Sequence, residues 1–262
     1  MSIQSIKINN SEIEYIKFWT WKKNFVVIPW ISLKSVLINP QFIETAFSDF
    51  TKDFTVYLFD RIKVIPENYK IEDMAEDTYK AINESWINSC NIFWASQWWM
   101  IAQYIAIKHP NIVDKLILWS TTSKIEWNSL KIIKERIDLA KQNKIEELNK
   151  IMAKEIYCEK TIKEYWEAVL KANSEVNENE INKFIKLAVS MINFNIDDKL
   201  DNIKCKTFVI GSNNDEIFWS GPSNNIAKKL NCKLYLYDDY GHWVYDEAPD
   251  YRKRILEFLN EE

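Results

Sequence analysis

Two textures of apolar and polar residues alternate along the chain, and the switches between them mark out its elements. Residues 3–8 and 12–18 alternate polar and apolar positions, the period-two pattern of half-buried strands, and Asn9-Asn10 between them predicts an antiparallel turn. Residues 25–29 and 55–59 are short continuous apolar runs, as expected of strands covered on both faces. Residues 89–93, 115–118, 207–210 and 233–237 read as further strands. Helical spacing fills the gaps: weakly at 42–50, then at 71–82 with acids in the first turn, 97–108, 224–230 and 247–259. This alternation predicts an α/β fold, a mostly parallel sheet with helices on both faces.

Between residues 125 and 196 the texture changes. Lys, Glu, Ala and Leu dominate and clusters of β-branched residues thin out, which predicts about four helices. They read as a helical cap inserted into a single domain whose core is 1–124 and 197–262. A chain of 262 residues suits that arrangement.

Charge and cysteine usage narrow the function. A net charge of −4, with acids and bases interspersed, gives no footprint for nucleic acid. The first fifteen residues hold no long apolar run, so neither a signal peptide nor a membrane span is expected, and the cytoplasm is the expected compartment. Cys90, Cys158, Cys205 and Cys232 are scattered, without a C-x-x-C pair, and only two histidines accompany them. Neither a metal site nor a disulfide framework is expected from that spacing.

The chain has 3 glycines and 12 tryptophans. At the usual frequency about 18 glycines are expected in this length, and a fold of many turns needs them where φ is positive or backbones meet. Ten of the tryptophans (19, 21, 30, 86, 94, 98, 99, 119, 219 and 243) stand where turn chemistry asks for glycine. Trp127 is ambiguous, and Trp166 sits in a helical run. A codon such as UGA, read as glycine in one code and tryptophan in another, would produce this exchange; the alternative is a genuinely tryptophan-rich protein.

The chemistry centres on Phe93-Trp94-Ala95-Ser96-Gln97-Trp98-Trp99-Met100, where an apolar strand runs into a helix through a serine. A serine on a sharp strand-to-helix turn is the geometry of the nucleophile elbow, G-x-S-x-G, but both glycine positions, 94 and 98, are tryptophan. A serine hydroxyl needs a base to take its proton and a carboxylate to orient that base. Of the two histidines, His109 ends the helix after Ser96, where the helix dipole alone accounts for it. His242, in a loop between the last strand and the last helix, is the candidate base. Asp215, directly after the strand at 207–210, is the candidate orienter, with Glu216, Asp238 and Asp239 as competitors. The order Ser96, Asp215, His242 is serine, acid, histidine. Backbone N–H groups of Gln97 and Ile31 are the candidate oxyanion hole.

These segments, with Val26-Val27-Ile28-Pro29-Trp30, Phe208-Val209-Ile210-Gly211 and Gly241-His242-Trp243, resemble the α/β-hydrolase superfamily, in its branch of small cap-bearing hydrolases. The resemblance runs along nearly all of residues 13–259 outside the cap. It departs at both elbow glycines and at Pro29, where the family usually has a histidine. The loop after Asp60-Arg61 also lacks the usual glycines. The resemblance implies hydrolysis of a small ester, lactone or related acyl substrate through an acyl-serine, without metal or cofactor. The alternative is a catalytically silent protein of the same fold that binds a small ligand or partner. Overpacking costs about 1–3 kcal/mol even for a few methylenes, so indoles at 94 and 98 are expected to impair the elbow. Restoring glycine at both positions is expected to raise esterase rates above those of the chain as written.

Overall fold

The period-two segments at the N-terminus form the outer hairpin of an eight-stranded sheet in a computed structural model that describes residues 2–29, 31–95, 99–172 and 175–261. β1 (Gln4–Ile8) pairs antiparallel with β2 (Ser11–Phe18), and the chain turns between them through Asn9 at φ 53°. β2 in turn pairs antiparallel with β4 (Phe54–Ile62). Every other neighbour is parallel: β3 (Lys23–Ile28), β5 (Cys90–Ala95), β6 (Val113–Trp119), β7 (Lys206–Ser212) and β8 (Lys233–Tyr237) complete the order β1-β2-β4-β3-β5-β6-β7-β8.

Two apolar cores cover the two faces, which is why the parallel strands read as continuous apolar runs. One packs α2 (Ile71–Glu84) and α3 (Trp99–Lys108) on the sheet through Ile71, Met74, Ile82, Ile101 and Ile105. The other sets Phe25, Phe93 and Ile117 against α1 (Pro40–Ala46) and the C-terminal helix.

Among the described residues four α-helices lie between β6 and β7: α4 (Trp127–Lys141), α5 (Ile145–Ile156), α6 (Glu159–Ala172) and α7 (Glu178–Met191). The two ends of this insertion are pinned together, Ile125 N–H donating to Phe194 O at 3.0 Å and Ile196 N–H to Ser123 O at 2.8 Å. Arg136 ties α4 to α5 through the Glu155 carboxylate.

The structure moves several predicted boundaries. The strand expected over 55–59, ending at Asp60-Arg61, runs from Phe54 to Ile62, and the helix after β7, α8, runs from Ser220 to Leu230 rather than from 224. The helix expected at 42–50 is α1, capped by the Asn39 side chain on Phe42 N–H, followed by a separate 3₁₀ turn at Phe50–Lys52. The single helix expected at 247–259 is two, α9 (Val244–Glu247) and α10 (Tyr251–Asn260). Pro249 divides them, because it has no N–H to give and disfavours helical backbone in the residue before it.

Among the described residues no helix is long and apolar enough to cross a membrane, and the four cysteines are free. Among the described residues three tryptophans take left-handed backbone, Trp19 at φ 61°, Trp86 at 60° and Trp219 at 29°, while none of the three glycines does. Trp119 behaves otherwise: it closes β6 as a strand residue and is buried against Trp243, which has φ −97°.

Candidate active site

Chain order places β4 outside β3 and β5 beside it, so the sheet changes direction of growth between β3 and β5. At such a switch point the loops leaving the carboxyl ends of the strands part and leave a crevice. Ile31 follows β3, and β5 ends at Ala95, directly before Ser96. Ser96, Gln97, Trp98 and Trp30 lie outside the described residues. Ala95 is level with Trp119 and Trp119 with Ile210, so β7 ends two strands from β5, a spacing of about 10 Å.

Asp215 sits in the loop after β7. Its Oδ1 accepts from the N–H groups of Ile217 and Phe218 at 2.8 and 2.9 Å, and its Oδ2 faces His242 Nδ1 at 2.8 Å. Both residues are buried, with His242 at 0% exposure. Burial pushes the Asp215 carboxyl up, but the His242 imidazole and the two N–H donors outweigh it and leave the group below its ordinary value. A carboxylate only accepts, so Nδ1 carries the hydrogen of the neutral ring and Nε2 carries the lone pair. That is the tautomer a general base needs.

Of the competitors for the orienting role, Asp238 instead accepts from the Asn213 side chain at 2.6 Å. His109 is placed far from this chemistry, stacked on Tyr79 at 3.5 Å between ring centroids, with Nε2 3.0 Å from Glu76 Oε1.

The backbone that carries His242 is held from three directions. Ser120 Oγ donates to His242 O at 3.2 Å, and Trp243 N–H donates to Ile156 O at 2.9 Å, at the end of α5. Gly241 N–H donates to Glu247 Oε2 at 3.2 Å, and Glu247 Oε1 accepts from Cys158 N–H at 2.8 Å. The approach is close: a Cβ on Gly241 would lie 3.1 Å from Cys158 N and Ile156 O, so only glycine fits without displacing backbone.

The other wall is the loop after β3. Arg61 donates to Ser32 O at 3.3 Å, Ser32 Oγ at 3.2 Å and Lys34 O at 3.0 Å, and its Nε lies 3.2 Å from Asp60 Oδ1. Asp60 Oδ2 also accepts from Ser35 Oγ. The Asp60–Arg61 ion pair therefore holds the loop after β3 at residues 32–35, just beyond Ile31.

Ser120, Glu247 and Arg61 are absent from the residues that spacing singles out. Ser120 follows a strand end, as catalytic-loop residues do, but Arg61 acts on backbone at 32–34 and Glu247 joins Gly241, six residues away, to Cys158, 89 residues away, so neither carries a local signal.

No protein-family model matches the chain. It is 23% identical to the protein named carbamate hydrolase RutD of Rhizobium rhizogenes over 199 residues, 74% of this chain and 76% of that one. Among solved structures it superposes on MGS-M2, an α/β hydrolase from a Medee basin deep-sea metagenome, with TM-score 0.88 at 18% identity, over 99% of this chain and 98% of that one. An enol-lactonase of Burkholderia xenovorans gives 0.85 at 15% identity, over 98% and 100% of the two chains. A thermophilic esterase of Thermogutta terrifontis gives 0.82 at 17%, over 99% and 98%. The architecture and these likenesses make the chain an α/β-hydrolase-fold protein.

Proposed function

We propose that the chain is a serine hydrolase of small ester, lactone or related acyl substrates. The observation that carries this reading is the buried Asp215–His242 pair at the strand ends, with the sequence Ala95-Ser96 leaving the central strand β5, two strands from β7. Relatives named for a carbamate, an enol lactone and an ester lend it support, since all three substrates present an acyl carbon.

In the proposed route His242 Nε2 takes the proton of Ser96 Oγ as the oxygen attacks the acyl carbon. The negative charge that develops on the carbonyl oxygen is met by the backbone N–H groups of Gln97 and Ile31. His242 returns the proton to the leaving group, and the same base then activates water against the acyl-serine. Asp215 holds the imidazole in the right tautomer and stabilises its charged form. The helices at 125–196 act as a cap that roofs the site and sets which acyl group enters. The route uses no metal or cofactor.

A fluorophosphonate probe tests it. Labelling that Ser96→Ala abolishes, with turnover of p-nitrophenyl esters or lactones, is expected. A chain with glycine restored at 94 and 98 that folds, yet neither labels nor turns over any of them, overturns the reading in favour of a silent binding protein.

A further inference from the structure

We infer that the natural protein carries glycine where this chain has Trp19, Trp86 and Trp219, because its source reads as glycine a codon rendered here as tryptophan. Eight non-glycine residues have positive φ among those described: Asn9, Asn68, Asn143, Asn231, Ser120 and these three tryptophans. Asparagine reaches left-handed backbone through local hydrogen bonds of its short side chain, whereas a bulky side chain there is an outlier that costs about 1–3 kcal/mol.

The helix ends make the comparison within one molecule. At the end of α2, Trp86 N–H donates to Asn83 O at 2.9 Å and Ile87 N–H to Ile82 O at 3.4 Å. These are the paired bonds of a Schellman motif, with Trp86 at the left-handed position that glycine usually holds and asparagine sometimes does. The same pair of bonds ends α4 around Asn143 and α8 around Asn231. Two of the three motifs have an accepted residue at that position and the third has tryptophan.

Burial offsets the strain least at Trp86, which is 91% exposed; Trp19 is 63% exposed, and Trp219, at 50%, lays its ring over Gly221. A chain with 3 glycines and 12 tryptophans has the composition such a misreading leaves.

Tandem mass spectrometry of peptides from the protein made in its source organism decides the matter. Glycine at 19, 86 and 219 is expected, and the three codons are expected to be identical. Tryptophan at those positions overturns the inference.

A second inference comes from the hydrogen bonds around the histidine, and it rests on the hydrolase reading. The geometry points to Glu247 as a positioning residue that locks the His242 loop to the inserted helices. Its two oxygens take the N–H of Gly241, next to His242, and that of Cys158, in the turn between α5 and α6. With Trp243 N–H on Ile156 O, the insertion and the histidine loop move as one body.

Glu247→Ala is expected to lower kcat about 10–100-fold with little change in KM, the cost of a slightly misplaced catalytic group. Glu247→Gln keeps one accepting oxygen and is expected to recover part of the loss. Independently of turnover, amide exchange at Gly241 and Cys158 is expected to quicken in the alanine variant while the sheet stays protected. Unchanged exchange at both amides, or an unchanged kcat in an otherwise active protein, overturns the assignment. Absence of fluorophosphonate labelling in the folded chain with glycine restored at 94 and 98 instead sinks the hydrolase reading, and the exchange result then stands by itself.

Discussion

His242 Nδ1 and Asp215 Oδ2 meet at 2.8 Å across 27 residues of sequence, in a place where the imidazole has no exposure to solvent. The two ride on different loops, one leaving β7 and one leaving β8. They meet because β7 and β8 are parallel neighbours, so both loops emerge at the same edge of the sheet. The carboxylate is fixed in turn by the N–H groups of Ile217 and Phe218, and the ring has one orientation to adopt.

Asp215→Asn leaves a hydrogen-bonding group in place but no longer imposes the base tautomer, and turnover is expected to fall about 10⁴-fold. Stability gives a second reading. The folded-state carboxyl sits below its ordinary value, so its contribution is present above the unfolded value, about pH 4, and is lost as pH falls through the folded one. The Tm gap between the unsubstituted chain and Asp215→Asn is therefore expected to be widest near neutrality and to close in acid. A gap that stays constant from pH 7 to pH 3 contradicts this.

His109 offers a control in the same assays. Its contacts are the Tyr79 ring and the Glu76 carboxylate on α2. His109→Ala is expected to cost about 1 kcal/mol of stability, the scale of one stacked ring and one hydrogen bond. Its turnover per folded molecule should match that of the unsubstituted chain. A drop in kcat would place His109 in the chemistry.

Arg61→Met keeps much of the side-chain volume but leaves Asp60 buried without its ion partner, removes the Arg61 donor from the Ser32 carbonyl and leaves the Lys34 carbonyl with the Ser32 hydroxyl alone. Removing one member of a buried pair costs about 3–5 kcal/mol. Denaturant titration is expected to show a loss of that size, and the folded remainder is expected to have reduced kcat because the loop at Ile31 is no longer held. Stability within about 0.5 kcal/mol of the unsubstituted chain, the range of an ordinary surface change, contradicts this.

Trp86→Gly relieves left-handed strain at a position that buries almost nothing. Glycine gives back part of the gain through the freer unfolded chain, so a net increase of about 1 kcal/mol is expected. The denaturation midpoint reads it directly. A lower midpoint would show that the indole contributes a contact at α2's end that outweighs the strain.

Local pattern carries a large part of the fold. Alternation marks the β1–β2 hairpin, continuous apolar runs mark the buried parallel strands, and the Lys/Glu-rich stretch at 125–196 coincides with four helices between β6 and β7. Each is a statement about period and composition, and period is set by neighbours a few residues away. Boundaries are less legible where a side chain or a proline intervenes, as at Asn39, which caps α1, and at Pro249, which splits the last helix.

The sequence also supplies the residue types and their order: a serine after a central strand, an aspartate after β7, a histidine after β8. Which acid faces the histidine is a choice among Asp215, Glu216, Asp238 and Asp239 that spacing leaves open, and the tertiary structure makes it by bringing Oδ2 of Asp215 to the ring. The same holds for Glu247 and Arg61, whose partners are backbone groups at 158, 241 and 32–34. Hydrogen bonds of that kind depend on where distant main chain passes, and nothing in the residues on either side of a carboxylate or a guanidinium records it. Composition alone raises the question of the tryptophans, and backbone torsion decides which of the described ones stand in glycine's conformation.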